Sequence, residues 1–257
     1  MFDPLVLICW LSPFFYTSLL LSGKFANFLK RRKFQRRAKV DLLIFQVPTI
    51  GNVETVNEII KRFKSYNLPV PTESWVVIEE GDNGNYIADR VVVVPKDFKC
   101  EDLYKARALE YARRLRVELL RRGEIPPNYL IIQADDDALP SEAFIRECLE
   151  IDADIVLGTI CPRALGFFGT ILDYERCVAC ATFCNFFTNI QKPIFGHGEG
   201  MCISSKVDQS ISYDVSDVCG KKSKLISSED LFYLHKVSLK GYAIFNSEKP
   251  VYITPPH

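Results

Sequence analysis

Apolar and polar positions along this chain fall into blocks whose period changes from two to about three and a half and back. Residues 40–47 are a mostly apolar run stopped by Pro48, the pattern of a buried strand. Asn52 is placed to cap a helix running to about Tyr66, with Val56, Ile60 and Phe63 on one face and Lys61, Arg62 and Lys64 outside. Pro69 and Pro71 break the chain before a second strand at 75–78, which ends in Glu79, Glu80 and Gly81. A third strand at 90–94 stops at Pro95, and residues 101–122 read as a long charged helix ended by Gly123 and Pro126-Pro127. Residues 129–133 are apolar enough for a central strand and run straight into Ala134-Asp135-Asp136-Asp137. A helix from Ser141 to about Glu150 and a strand at 155–159 follow. Beyond residue 160 the pattern is less regular: a helix at 174–189, a glycine-rich stretch at 195–200 and a short strand at 201–205. Ser227 or Ser228 then caps a helix running to Lys240 and stopped by Gly241, with a closing strand at 242–245.

Strands alternating with helices predict an α/β fold, a mostly parallel sheet covered on both faces. Such sheets bind ligands beyond the carboxyl ends of their strands, which sets Glu79, Glu80 and the three aspartates along one edge. With 257 residues there is room for one such domain, and 48% apolar against 25% charged residues excludes a mainly disordered chain.

Charge divides the chain in two. Residues 1–39 carry eight Lys or Arg and only Asp3, whereas residues 40–257 carry 24 basic and 31 acidic residues. The acidic body offers no broad footprint for nucleic acid. The basic neck follows an uncharged 17-residue run, LVLICWLSPFFYTSLLL at 5–21, interrupted by Pro13. That length is at the short end for crossing ~30 Å of hydrocarbon, so the segment reads as a membrane anchor that spans or lies on the bilayer, with a helix folded onto the body as the alternative. The cluster Lys30 to Lys39 then places the body, residues 40–257, on the cytosolic side. There, most of the nine cysteines are expected to be reduced. Cys177, Cys180 and Cys184 share one helical face, where they either pack or, with His197 or Cys202, hold zinc or an iron–sulfur cluster.

Three consecutive aspartates at the end of a buried strand repel one another and lose hydration, two penalties that Mg²⁺ or Mn²⁺ relieves. If strand geometry persists, Asp135 and Asp137 point one way and Asp136 the other, one holding metal and another a ribose or sugar hydroxyl. The alternative is a solvated acidic turn before the next helix. Ser227 to Asp230 has nearly the spacing of a capping box, so Asp230 is either part of a helix start or a general base held at a rigid helix N-terminus.

These segments, in this order, resemble glycosyltransferase family 2, the GT-A fold enzymes, and within it the egghead-like β-mannosyltransferases most. VPTIGN (47–52), with Pro48, resembles the family's first strand and nucleotide-side turn, and WVVIEEGDNG (75–84) the strand whose terminal acid, Glu79 or Glu80, contacts the nucleobase. KARALEYA (105–112) is similar to the stretch that brings Lys105 to the donor, although Glu110 stands where the family has Asn. IIQADDDALP (131–140) resembles the D-x-D segment, which implies Asp137 on the metal, Asp135 on metal or donor, and Asp136 beside the donor. FGHGEGMCIS (195–204) resembles the acceptor-side segment, containing His197 and Glu199, and SED (228–230) the motif whose last residue, Asp230, is the catalytic base. The resemblance implies an inverting transfer from GDP-mannose or a UDP-sugar to a lipid, glycolipid or glycan hydroxyl, with Mn²⁺ or Mg²⁺. A sugar-1-phosphate nucleotidyltransferase and a non-catalytic membrane adaptor are the competing readings; the first lacks a G-x-G-x-x phosphate loop and the second has no use for the acidic edges.

Overall fold

The structure, a computed structural model, describes residues 4–100, 102–162, 174, 177–190, 196–219 and 228–253. Its centre is an eight-stranded sheet built from β1 (Leu42–Pro48), β2 (Thr72–Glu79), β3 (Arg90–Val94), β4 (Tyr129–Gln133), β5 (Ala138–Pro140), β6 (Ile155–Pro162), β7 (Met201–Ser204) and β8 (Ile244–Ile253). The spatial order is β3-β2-β1-β4-β7-β6-β8-β5. The half made of β3, β2, β1 and β4 is parallel, as expected. The other half is mixed: β7 runs antiparallel to β4 and β6, and β5 antiparallel to β8, while β6 and β8 are parallel. An expectation of a mostly parallel sheet is therefore corrected to a mixed one, because the chain after β6 inserts β7 against the grain between β4 and β6.

The helices cover both faces. They are α1 (Pro4–Arg31), α2 (Val53–Lys64), α3 (Tyr104–Arg121), α4 (Glu142–Glu150), α5 (Asn185–Ile190, preceded by a π-helical turn at Cys180–Cys184), α6 (Ser205–Ser210), α7 (Ser216–Cys219) and α8 (Glu229–Leu239). Strand alternation sorts the core into two clusters. Leu43, Phe45, Val47, Leu130 and Ile132 pack against Val56, Ile60 and Phe63 of α2 and Phe144 of α4. Leu42, Ile44, Tyr129 and Ile131 point the other way, onto Ala108, Leu109 and Ala112 of α3 and Tyr233 and Leu234 of α8. Gln46 and Gln133 fall on this second face with no exposure to solvent.

The second face also encloses an ion pair. Arg116 Nε and Nη2 donate to the two Asp208 oxygens at 2.9 and 2.7 Å, Tyr129 Oη donates to Asp208 Oδ2 at 2.8 Å, and Arg116 Nη1 donates to Gln46. On the first face, Gly158 of β6 and Gly200 beside β7 both lie against the side chain of Val251 in β8, where a Cβ on either glycine would collide with it.

Several boundaries move. The long charged helix starts at Tyr104 rather than 101, since Leu103 is extended and Glu101 lies outside the described residues. Asn52 precedes α2 without a side-chain capping bond, whereas Ser141 caps α4 by accepting from the Phe144 N–H at 3.2 Å. The closing strand is longer than expected, ten residues from Ile244, because parallel pairing to β6 continues past its polar middle, with a shift in register between Leu157 and Thr159. Residues 254–257 lie outside the described ones.

The first helix differs most from expectation. It runs beyond the apolar segment to Arg31, taking in Lys24 and Lys30. Among the described residues no helix is long and apolar enough to cross a membrane. One side of α1 packs on the body, with Tyr16 edge-on to Phe183 at 5.5 Å and Gly23 close against the Phe186 backbone. Its end is tied by Arg31 to the buried carboxylate of Glu147 at 2.8 Å. The opposite side leaves Trp10, Phe14, Phe15, Leu21, Phe25 and Phe28 exposed. Cys180 is buried in the core with Cys177 packed on that cluster, while Cys184 Sγ lies 3.2 Å from His197 Nε2.

Removing one partner of a buried ion pair strands the other charge, a loss of ~3–5 kcal/mol. Asp208→Asn is expected to lower unfolding free energy in urea by about that amount, and a loss below ~1 kcal/mol would show that Arg116 finds other compensation.

Candidate active site

Two clefts open at the carboxyl ends of the parallel strands, on either side of Lys105. The first, about 410 Å³, is lined by Pro48, Thr49, Ile50, Val77, Glu79, Tyr104, Lys105, Arg107, Ala108 and Asp136. Its floor is apolar and its polar groups stand at the rim. Glu79 is fixed by Arg107, whose other guanidinium nitrogen donates to the Pro95 carbonyl. Glu80 is turned out of this cleft and accepts from the Lys96 N–H at 2.8 Å. Tyr104 at the mouth is exposed and has φ 51°, a left-handed conformation that costs a non-glycine residue roughly 1–3 kcal/mol and gathers at functional sites.

The second cleft, also about 410 Å³, is lined by Lys105, Asp135, Cys184, Gly196, His197, Gly198, Glu199 and Ser228 to Leu231. Phe195, expected to open this glycine-rich stretch, lies outside the described residues. Gly198 is indispensable to the packing, since a Cβ there would fall on the Asp230 carboxylate.

Lys105 joins the clefts. Its Nζ lies 2.6 Å from Asp135 Oδ1, 2.8 Å from Glu229 Oε1 and 3.1 Å from Asp230 Oδ2. Burial alone would lower its pKa, but the attraction of Asp230, Asp135 and Glu229 outweighs this and holds it well above the usual lysine range. One ammonium cannot satisfy three carboxylates equally. For Glu229, burial is outweighed by Lys105 and the pKa falls, whereas Asp230 is pushed up to about 7 by burial, against the pull of Lys105 and with the repulsion of Glu229 and Asp135. A carboxylate poised near neutrality is matched to general-base work.

The expected capping box of Ser227 with Asp230 falls on a residue outside the described ones. Ser228 precedes α8 in the left-handed region, φ 61°, and caps no N–H with its side chain. Both Asp230 oxygens are turned inward, Oδ2 to Lys105 and Oδ1 to the Gln133 side-chain amide at 3.2 Å.

The aspartate triplet also departs from strand alternation. β4 ends at Gln133, and the Ala138 N–H donates to the Asp135 carbonyl at 3.0 Å, so residues 135–138 form a turn. Asp135 faces Lys105 and the second cleft, while Asp136 lines the first and accepts from Thr49 Oγ1 at 2.8 Å. Asp137 is pushed up to about 6 by burial and by the nearby charges of Asp135, Asp136 and Glu199. Among the described residues no three His, Cys, Asp or Glu side chains are gathered into a metal cage.

Of the residues expected at this edge, Pro48, Glu79, Lys105, Asp135, Asp136 and Asp230 line the two clefts, Asp137 lies near the charges of Asp135 and Asp136, and Glu80 is turned away toward Lys96. Sequence reasoning missed Arg107, Glu229, Gln133 and Gly198. The only signal for Gln133 was one amide closing an otherwise apolar strand.

No protein-family model matches the chain, and no curated protein matches it in sequence. Solved structures do. A mannosyltransferase from Pyrobaculum calidifontis, PcManGT, in complex with GDP-Man and Mn²⁺, superposes with TM-score 0.50 at 15% identity, covering 94% of this chain and 68% of that one. TarS 1–349 from S. aureus gives TM-score 0.47 at 14% identity over 84% of this chain and 60% of that one. The first likeness shows the fold, the GT-A arrangement of a mixed sheet flanked by helices.

The repulsion around Asp137 makes a testable statement. Its folded pKa lies above the ordinary aspartate value of about 4, so its contribution to stability is full below that value and is lost as pH rises through about 6. Mn²⁺ is expected to raise the thermal midpoint clearly at pH 7.5 and hardly at pH 5, with the gain abolished in Asp137→Asn. An equal gain at both pH values, or one surviving the substitution, removes Asp137 from the metal site.

Proposed function

We propose that this chain is a metal-dependent glycosyltransferase that moves a sugar from a nucleoside-diphosphate donor to a hydroxyl acceptor with inversion. The observation that carries the reading is Asp230. It is a mostly enclosed carboxylate 3.1 Å from Lys105, pushed up to about 7 by burial, on the wall of a cleft separated by that lysine from a second cleft fit for a nucleotide. The GT-A fold and a fold-mate bound to GDP-Man and Mn²⁺ support the same reading.

In this reading the base and ribose lie in the first cleft, between the apolar floor and Glu79, with Asp136 at a sugar or ribose hydroxyl. Asp137 and Asp135 would hold Mn²⁺ or Mg²⁺, which would supply charge stabilisation to the leaving diphosphate. The acceptor enters the second cleft past His197 and Gly198. Asp230 Oδ2 takes the acceptor proton as that oxygen attacks the anomeric carbon on the face opposite the diphosphate, and a single displacement inverts the centre. Lys105 stays charged throughout and places Asp135 and Asp230 across one ammonium. GDP-mannose is the first donor to try, on the egghead-like resemblance and the named fold-mate.

The acceptor reading follows from α1. Its exposed Trp10, Phe14, Phe25 and Phe28, followed by Lys30 to Lys33, make an apolar face with a basic border, suited to an anionic bilayer surface. The helix packs on the segment that carries Cys184 into the second cleft. Seated so, the enzyme acts on a lipid, glycolipid or glycan at the membrane, on the cytosolic side.

Loss of a general base costs ~10²–10⁴-fold in rate. Asp230→Asn is therefore expected to fold, to bind GDP-mannose with Mn²⁺ nearly as wild type in calorimetry, and to lose transfer by that factor in single turnovers. Transfer near the wild-type rate would end the assignment. For the membrane seat, co-flotation with vesicles containing phosphatidylserine is expected for the full chain. It should be at least several-fold weaker after Trp10, Phe14 and Phe25 are changed together to Ser, and equal flotation of the two would exclude α1 as the contact.

A further inference from the structure

The second face of the sheet holds a hydrogen-bonded chain that ends on Asp230. Gln133, the last residue of β4, is wholly buried, and its amide is a costly group to bury unless paired. Both ends are paired: Nε2 donates to Asp230 Oδ1 at 3.2 Å, and Oε1 accepts from Tyr213 Oη at 2.6 Å. Turning the amide over would set its carbonyl oxygen against the carboxylate, so only one orientation satisfies both neighbours.

Tyr213 is itself held from several sides. Its ring stacks on Tyr233 at 4.1 Å between centroids and 11° between planes, and Tyr233 lies three residues after Asp230 on α8. Its N–H donates to Glu110 Oε2 at 3.0 Å, and Glu110 is gripped by Arg113 and Arg114 at 2.8 and 2.7 Å. On either side, Asp102 accepts from the Val215 N–H at 2.8 Å, and Lys236 donates to the Ser212 and Asp214 carbonyls at 2.6 and 2.9 Å. Charged side chains of α3, α8 and the turn before α3 thus clamp a short irregular segment between α6 and α7. Its one buried hydroxyl points at Gln133, and burial holds the Tyr213 hydroxyl far above the ordinary tyrosine range, so it remains a proton donor.

We propose that Gln133 and Tyr213 are positioning residues that fix the rotation of the Asp230 carboxylate; the proposal rests on Asp230 being the base of the transfer. A carboxylate turns readily about its last torsion. With Oδ1 held by Gln133, Oδ2 is set beside Lys105 and against Gly198, on the wall of the second cleft. The oxygen meant for the acceptor proton is then presented at one angle, and small errors in such placement are worth up to ~10²-fold in rate.

The test uses the full chain with two variants, Tyr213→Phe, which keeps the stacked ring, and Gln133→Met, which keeps most of the side-chain volume. Each is made in the wild-type and in the Asp230→Asn background. Thermal midpoint, GDP affinity with Mn²⁺ by calorimetry, and single-turnover consumption of GDP-mannose or UDP-glucose are measured together. The expected result is a rate about tenfold lower for Tyr213→Phe and lower still for Gln133→Met, with GDP affinity within about twofold of wild type. In the Asp230→Asn background the same changes should cost nothing further, since there is no base left to aim. Rates within about twofold of wild type, or an equal loss in both backgrounds, overturn the relay while leaving Asp230 as the base. A wild-type rate for Asp230→Asn alone overturns the base and the relay with it. If neither donor is consumed, a crystal structure of Tyr213→Phe decides: Asp230 rotated off Gln133 supports the proposal, and an unmoved carboxylate overturns it.

Discussion

A single ammonium group sets the architecture of the active edge. Lys105 Nζ is the common neighbour of Asp135, Glu229 and Asp230, which belong to the turn after β4 and to the start of α8. In the low dielectric of a partly enclosed site, three carboxylates without that cation would repel strongly enough to drive apart the elements that carry them. With it, α3, β4 and α8 meet at one point, and the two clefts are defined as the spaces on either side. The unequal sharing of one positive charge also divides the acids by role. Glu229 is kept ionised, whereas Asp230 carries the repulsion and remains basic near neutrality.

Behind that point the sheet separates two kinds of interior. The face under α2 and α4 is mainly apolar, with Glu147 and Ser74 among its buried polar groups, while the face under α3 and α8 contains Arg116, Asp208, Gln46, Gln133 and several tyrosine hydroxyls. Interiors of the second kind are worth little as net stabilisation, since desolvation offsets most of the attraction. They are directional, however: each hydrogen bond has one geometry, and the side of the sheet that supports the base is the side that has them.

Much of this was legible in the chain. The parallel half of the sheet was, because apolar runs bounded by proline or glycine and separated by amphipathic helices admit few other folds. The acidic edge was too, since carboxylates that terminate buried strands need a reason to be there. The mixed half was not. Short strands were expected at 201–205 and 242–245, but nothing in the four residues of β7 marks it as antiparallel, and Glu248, Lys249 and Pro250 hide the continuation of β8 to Ile253. The first helix misled because apolar length was read without its partner: the same residues that suggest a bilayer span also pack on Phe183 and Phe186, a pairing that no local pattern reveals. Tyr213 and Gly198 matter only through what lies opposite them, Gln133 and Asp230, across 80 and 32 residues of chain, and sequence spacing contains no trace of that.

Val251 has a wider meaning. One valine fills the space left by two glycines, Gly158 in β6 and Gly200 just before β7, so three positions far apart in the chain share a single volume. None of the three is free to drift alone. An alanine at either glycine is admitted only with a smaller residue at 251, and a bulkier residue at 251 is excluded while both glycines lie against it. Relatives of this chain should therefore reveal themselves through compensating side-chain sizes at these three sites even where every acidic motif has diverged beyond notice.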